Sequence, residues 1–269
     1  MKDILEVWLA EDLGQGDFTS ETVIPNSSCN AQITGGPGTL SGIDLVNNLL
    51  RKMKVNFSTN FSDGDIISKD TLVYDLEGNA HDVMKIERLS LNILSYFSGI
   101  ASLTAKLVKL AKEINPNVVI LATRKTIPGI RNFSKKAVVH GGGMTHRLRL
   151  DDAILIKDNH LKLSGSITEA VRKSKKSHPD LTIEVEADTI DQAIEATRAD
   201  ANRVMLDNFS PEKVSKAVSQ IRKISDIEIE LSGGINSTNI ASYAPYADFI
   251  SMSCLTMSAP PVDFSLHVI

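Results

Sequence analysis

The chain has 269 residues, 42% of them hydrophobic and 23% charged, with a formal net charge of −4. This composition excludes a disordered chain, and the acidic balance argues against general nucleic-acid affinity; the length fits one barrel domain of about 200–250 residues plus a smaller module. No apolar run in the sequence reaches the roughly 18 residues a membrane span needs. The opening Met1-Lys2-Asp3-Ile4-Leu5-Glu6 is unlike a signal peptide, and Cys29 and Cys254 lack metal-type spacing, so a cytoplasmic protein with no membrane partner is expected.

In chain order, residues 3–12 show helical apolar spacing, and Gly14-Gln15-Gly16-Asp17-Phe18-Thr19 ends that helix with turn chemistry. Residues 31–78 predict a separate α+β module. It has a strand at 31–34, a helix at 43–53, and a strand at 71–76 between turns at Asp63-Gly64-Asp65 and Glu77-Gly78-Asn79. Residues 82–114 are the longest periodic stretch, a core-facing helix or helix pair that Gly99 should weaken or bend. The expected domains are 1–114, ending in this long helical linker, and 115–269, with the C-terminal tail free to return to the first. Past Pro116, short β-branched runs alternate with helical stretches, giving about six strands of a parallel sheet, fewer than the eight of a complete barrel. Ser166-Ile167-Thr168-Glu169 and Thr189-Ile190-Asp191-Gln192 match the capping-box pattern, and Ser210-Pro211 places Pro just inside a helix start.

The ends of these runs are the most informative feature. Val118-Val119-Ile120-Leu121 stops at Thr123-Arg124-Lys125, and Ala153-Ile154-Leu155-Ile156 stops at Lys157. Leu181-Thr182-Ile183-Glu184-Val185 stops at Glu186, Arg203-Val204-Met205-Leu206 at Asp207, and Ile227-Glu228-Ile229-Glu230-Leu231 at Ser232-Gly233-Gly234. In a parallel barrel the chemistry collects at these C-terminal ends. From Arg124 to Lys162 nine Lys or Arg stand against three acids, beside strand ends and glycines, which points to an anionic substrate more than to a solvated basic face.

Adjacent Arg124 and Lys125 offer a forked donor and a point charge for carboxylate or phosphate, with a structural ion pair as the bland reading. Gly141-Gly142-Gly143 lets backbone approach a ligand and delivers His146 and Arg147. Lys157, ending an otherwise apolar run, is paired, ligand-bound or a Schiff-base lysine. Glu186 and Asp207 could share a hydrated Mg²⁺ or pair with Lys157 or Arg124. Ser232-Gly233-Gly234 resembles the late phosphate site of barrels.

These residues carry a resemblance. Glu11-Asp12-Leu13-Gly14-Gln15-Gly16-Asp17, Glu87-Arg88-Leu89-Ser90-Leu91-Asn92, Ser98-Gly99-Ile100-Ala101, Thr123-Arg124-Lys125-Thr126 and Gly141-Gly142-Gly143 come first. His146-Arg147-Leu148, Leu155-Ile156-Lys157-Asp158-Asn159-His160, Glu184-Val185-Glu186, Leu206-Asp207-Asn208 and Ser232-Gly233-Gly234 follow. In that order, over essentially the whole chain, the sequence resembles the quinolinate phosphoribosyltransferase family (nicotinate-nucleotide pyrophosphorylase, carboxylating).

The resemblance implies an incomplete α/β barrel of about seven strands with a smaller N-terminal α+β open sandwich. It implies a transferase (a pentosyltransferase) of NAD biosynthesis. Such an enzyme passes the phosphoribosyl group of phosphoribosyl pyrophosphate to quinolinate, with decarboxylation to nicotinate mononucleotide. It further implies quinolinate at Arg88, Thr123, Arg124, Lys125, His146, Arg147 and Lys157, and ribose with Mg²⁺, partly through water and substrate, at Glu186 and Asp207. Phosphate would sit at Ser232, Gly233, Gly234 and Ser253, and a homodimer would supply Arg88 to the neighbouring site.

Ser253, Met257 and Arg149 depart from the family pattern of Gly, His and Gly, and bear on the phosphate loop rather than the dicarboxylate end. A molybdenum-transport-associated branch with another acceptor, and a non-catalytic binding homologue, stay open; the Lys157–His160 stretch favours the quinolinate enzyme.

Overall fold

A computed structural model describes residues 3–269. Two compact units are present. One takes everything described up to Leu103, together with His140–Gly142 and Ala259–Ile269; the other takes Thr104–Val139 and Gly143–Ser258.

In the first unit a four-stranded antiparallel sheet runs in the order Phe264–Val268, Ser28–Gly35, Thr71–Asn79, Asn56–Ser58. The C-terminal tail is thus an edge strand, with Ala31 opposite Val268 and Gly35 opposite Phe264. Helix Ile43–Lys52 buries Ile43, Val46, Leu49 and Leu50 and leaves its basic last turn, Arg51 and Lys52, towards its C-terminal dipole end. The hydroxyl of fully buried Tyr74 fastens strand to helix by donating to the Ile43 carbonyl at 3.2 Å or to Asn47 Oδ1 at 2.9 Å.

Helix Ala80–Lys112 runs 33 residues without interruption, so Gly99 does not break it. The glycine serves packing instead. A Cβ there would lie 2.3 Å from the Pro260 carbonyl oxygen and 3.0 Å from Pro261 Cα, so only glycine lets the tail cross. This helix is long and apolar enough to cross a membrane by length and composition, but 56% of its most apolar window is buried.

The second unit is a seven-stranded, wholly parallel sheet. Its order is Met144–Thr145, Val119–Ala122, Phe249–Met252, Glu228–Ser232, Arg203–Asp207, Ile183–Ala187, Ile154–Ile156. The two edge strands are consecutive in the chain. A closed barrel would pair them; here they end the sheet, and the barrel is incomplete. The strand missing from the count of six is Met144–Thr145, two residues long and hidden behind the glycine triplet. Helices Ile167–Ser177, Ile190–Arg198 and Pro211–Ile221 begin at Ser166, Thr189 and Ser210, each accepting a backbone N–H three residues on. Of these three starts Thr189 alone closes the reciprocal capping box; Glu169 pairs with Arg172 at 2.7 Å instead.

Candidate active site

Period-two alternation decides which strand residues enter the half-barrel interior. Met205 stands opposite Glu186 on one neighbouring strand and Glu230 on the other; one layer below, Arg203 stands opposite Glu184 and Glu228. One layer above, Asp207 stands opposite Ser232.

At the C-terminal ends of these strands a cavity of about 470 Å³ opens, within the range of small-molecule sites. Thr123, Arg124, Lys125, His146, Arg147, Lys157, Glu186, Asp207 and Ser232 line it, joined by Leu155, Met205, Glu230 and Ser251. A second cavity of about 290 Å³ shares Thr123, Lys125, Asp207, Ser232 and Ser251 with it and adds Gly233, Gly234 and Ser253. The sequence-derived residues of this unit therefore converge on one cleft. Arg88 does not line it: it is exposed on the helix Ala80–Lys112.

The cationic end is held from behind. Arg147 Nη1 donates to the Ala153 carbonyl at 3.0 Å, and the Thr123 hydroxyl oxygen accepts the Lys125 N–H at 3.1 Å. The Thr256 hydroxyl donates to the Lys125 carbonyl at 2.6 Å. Arg124 Nε is buried with no partner, a donor left over for a ligand. Burial, reinforced by the neighbouring Arg124, pulls the Arg147 guanidinium below its ordinary value. Lys157 is ion-paired with Glu186 and its side chain is 41% exposed, unlike the desolvated apolar setting of a Schiff-base lysine.

His146 lines the cavity with both ring nitrogens engaged inside the protein. Nδ1 accepts the Arg147 N–H at 2.7 Å, which leaves the proton on Nε2, and Nε2 donates to Glu184 Oε2 at 2.7 Å. Burial lowers the His146 pKa and keeps the ring neutral. Glu230 Oε2 lies 3.6 Å from the same Nε2 and accepts from Arg203 Nη1 at 3.2 Å. Arg203 in turn lies over the Phe249 ring, 3.8 Å from its centroid.

Burial pushes Glu184 up to about 7, and burial with the Glu184 charge pushes Glu230 up to about 7. His146, Glu184 and Glu230 bring three ligand-type atoms within 4.8 Å of one another. The Nε2–H and the Arg203 guanidinium already occupy this cluster, so it reads as a buried hydrogen-bonded network. Glu186 and Asp207, both half-buried at the cavity wall, offer hard carboxylate oxygens of the kind magnesium takes.

At the opposite end, Asn208 Nδ2 donates to Asp207 Oδ2 at 2.5 Å. Gly233 adopts φ +95°, and a Cβ there would fall 2.3 Å from Asn208 Oδ1. Ser253 precedes the short helix Cys254–Met257 without a side-chain capping bond, Met257 is exposed, and Arg149 makes surface pairs with Asp151 and Asp152.

The sequence reading took the last residue of each run and missed the residues two positions earlier. Glu184, Met205 and Glu230 share a strand face with Glu186, Asp207 and Ser232, and that alternation was the signal available. Lys135, counted with the basic segment, is 1% exposed, and Ser251 carried no signal.

A seven-stranded parallel half-barrel with cations at one end of its strand-end cleft and an acid and glycine loop at the other defines an α/β-barrel enzyme for small, polyanionic substrates. Comparison makes the class specific. Residues 17–98 match the N-terminal domain of quinolinate phosphoribosyl transferase and residues 100–267 its C-terminal domain, and the chain belongs to this family.

It is 40% identical to the probable nicotinate-nucleotide pyrophosphorylase (carboxylating) of Archaeoglobus fulgidus, over 92% of this chain and 97% of that one. It is 32% identical to the human nicotinate-nucleotide pyrophosphorylase (carboxylating), over 98% and 90%. The structure of the nicotinate-nucleotide pyrophosphorylase from Francisella tularensis superposes with a TM-score of 0.93 at 36% identity, over 99% of this chain and 95% of that one.

Proposed function

We propose that this protein is a carboxylating nicotinate-nucleotide pyrophosphorylase. It joins the phosphoribosyl group of phosphoribosyl pyrophosphate to quinolinate and releases pyrophosphate and CO₂, forming nicotinate mononucleotide for NAD biosynthesis. The observation that carries this reading is the convergence of Arg124, Lys125, Arg147 and Lys157 on one cleft whose far end holds Asp207 and the Ser232-Gly233-Gly234 loop.

Quinolinate lies at the cationic end, its two carboxylates taking charge-assisted bonds from those four side chains, including the unpartnered Arg124 Nε. His146 offers its ring beside them, and Thr123 shapes the turn. Ribose lies along Glu186 and Asp207, and phosphate lies at Ser232, Gly233, Gly234 and Ser253. Glu186 and Asp207 would hold a magnesium ion, which would supply neutralisation of the charge developing on the leaving pyrophosphate. The active form is a homodimer in the cytoplasm that brings Arg88 of each chain to its neighbour's cleft.

The pyridine nitrogen lone pair attacks the anomeric carbon as the bond to pyrophosphate breaks. Carboxylates at Glu186 and Asp207 stabilise positive charge developing on the ribose, and the cations hold the acceptor in line. The C2–carboxylate bond then breaks, its electron pair stays on C2 beside the cationic nitrogen, CO₂ leaves and a proton takes its place. The test offers quinolinate and nicotinate side by side as acceptors and measures pyrophosphate release. A site built for two carboxylates turns over quinolinate and rejects nicotinate; equal turnover refutes the assignment.

A further inference from the structure

The helix Arg131–His140 follows the Arg124-Lys125 loop and carries a charge where none is expected. Lys135 is 1% exposed, in a helix whose other buried residues are Ser134, Ala137 and Val138. A buried ammonium is ordinarily paired. Among the described residues no carboxylate lies within 4.0 Å of this one. Its Nζ instead donates to two consecutive backbone carbonyls, those of His146 at 2.6 Å and Arg147 at 2.8 Å. These are the two cavity-lining residues that follow the edge strand Met144–Thr145.

We propose that Lys135 is a positioning residue of the acceptor site, whose buried ammonium fastens the His146–Arg147 turn and couples acceptor affinity to a single lysine proton. The inference rests on the reading that the cationic end of the cleft takes the pyridine dicarboxylate. Protonated, Nζ satisfies both carbonyls, so Arg147 is presented to the cavity with His146 locked beside it. Neutral, Nζ keeps only weaker hydrogen bonds, and the turn loses its anchor.

The charges facing Lys135 are mostly of its own sign: Arg131 from its own helix, Arg124 from the preceding loop and Arg147 from the turn, with Asp152 opposing them. The neutral His146 ring completes its surroundings. Burial first, and Arg131 next, bring the Lys135 ammonium down to about 8. A dianion bound at Arg124 and Arg147 relieves that repulsion, so acceptor binding favours the protonated lysine. By reciprocity, losing the proton weakens the acceptor. Folded-state protonation is complete well below pH 8 and lost as pH rises through it, so quinolinate affinity falls on the alkaline side while both quinolinate carboxylates stay ionised.

The test measures Kd for quinolinate and for phosphoribosyl pyrophosphate separately, by calorimetry on the full chain between pH 7 and 9.5. Wild type is expected to lose quinolinate affinity about tenfold per pH unit above about pH 8. At pH 7 Lys135→Met should weaken quinolinate at least about tenfold, leave the phosphoribosyl donor within about twofold, and show no further alkaline loss.

A wild-type quinolinate Kd flat to pH 9.5 overturns the proposal, and so does a Lys135→Met protein that binds quinolinate normally or weakens both ligands alike. Should Lys135→Met fail to fold, Lys135→Arg keeps the charge at every pH tested. Its quinolinate profile should stay flat where wild type falls, and a profile matching wild type overturns the proposal. Arg147→Ala separates the two levels of the reading. If it leaves quinolinate affinity intact, the dicarboxylate site itself is refuted and this inference with it. If it weakens quinolinate while the Lys135 variants behave as wild type, the inference alone fails.

Discussion

Glu230 makes the stability of this fold depend on pH in a direction opposite to that of most acids. Its side chain is fully buried, one oxygen has no partner, and burial with the adjacent Glu184 charge raises its pKa from 4.5 to about 7. The folded chain therefore binds this proton more tightly than the unfolded chain. Its stabilising effect is complete below pH 4.5 and is lost as pH rises through 7. Carrying the ionised carboxylate in the fold at pH 8 costs about 3 kcal/mol, a figure that belongs to the Glu184–Glu230 pair rather than to either member.

Glu230→Gln removes the titration and keeps an amide oxygen for the Arg203 N–H. Urea unfolding at pH 5, 6.5 and 8 checks it. Relative to wild type, the variant should gain about 2–3 kcal/mol between pH 5 and pH 8. If the two stability curves run parallel across that range, Glu230 does not titrate there and the account of the buried network is wrong.

Two further perturbations test other parts of the structure. Asp207→Asn keeps shape and removes one carboxylate charge at the donor end, so the KM for phosphoribosyl pyrophosphate should rise about tenfold or more with that for quinolinate nearly unchanged; equal effects in steady-state kinetics contradict the two-ended cleft. Gly99→Ala forces a Cβ to 2.3 Å from the Pro260 carbonyl and should cost about 1–3 kcal/mol, read as a lowered melting temperature; an unchanged melting temperature removes the packing role assigned to this glycine.

The cleft was legible in the sequence wherever a charge broke an apolar run. Arg124, Lys125, Lys157, Glu186 and Asp207 ended short β-branched stretches, and barrel geometry sends such ends to one rim. Glu184 and Glu230 were not legible in the same way. A carboxylate inside a strand is easily taken for solvent-facing, and only its place two residues before a run-ending residue puts it on the cleft face. Lys135 failed for a related reason: in Ser134-Lys135-Lys136-Ala137 either lysine could face water, and the helix buries the first while exposing the second. Gly99 misled because a mid-helix glycine weakens a helix when nothing crosses it, and here the tail does.

The buried and the exposed charges differ in what they can do. Arg124, Lys125, Arg147 and Lys157 line the cavity, whereas Lys135, Arg203 and Glu184 lie behind its wall, with Glu230 between the two groups. Arg203 pairs with Glu230, and Lys135 fastens the His146–Arg147 turn. A barrel with its eighth position filled would close the sheet between Met144–Thr145 and Ile154–Ile156, beside Arg147 and Lys157. The opening in the sheet thus falls at the cationic end of the cleft, next to the two cations that stand on its edge strands' loops.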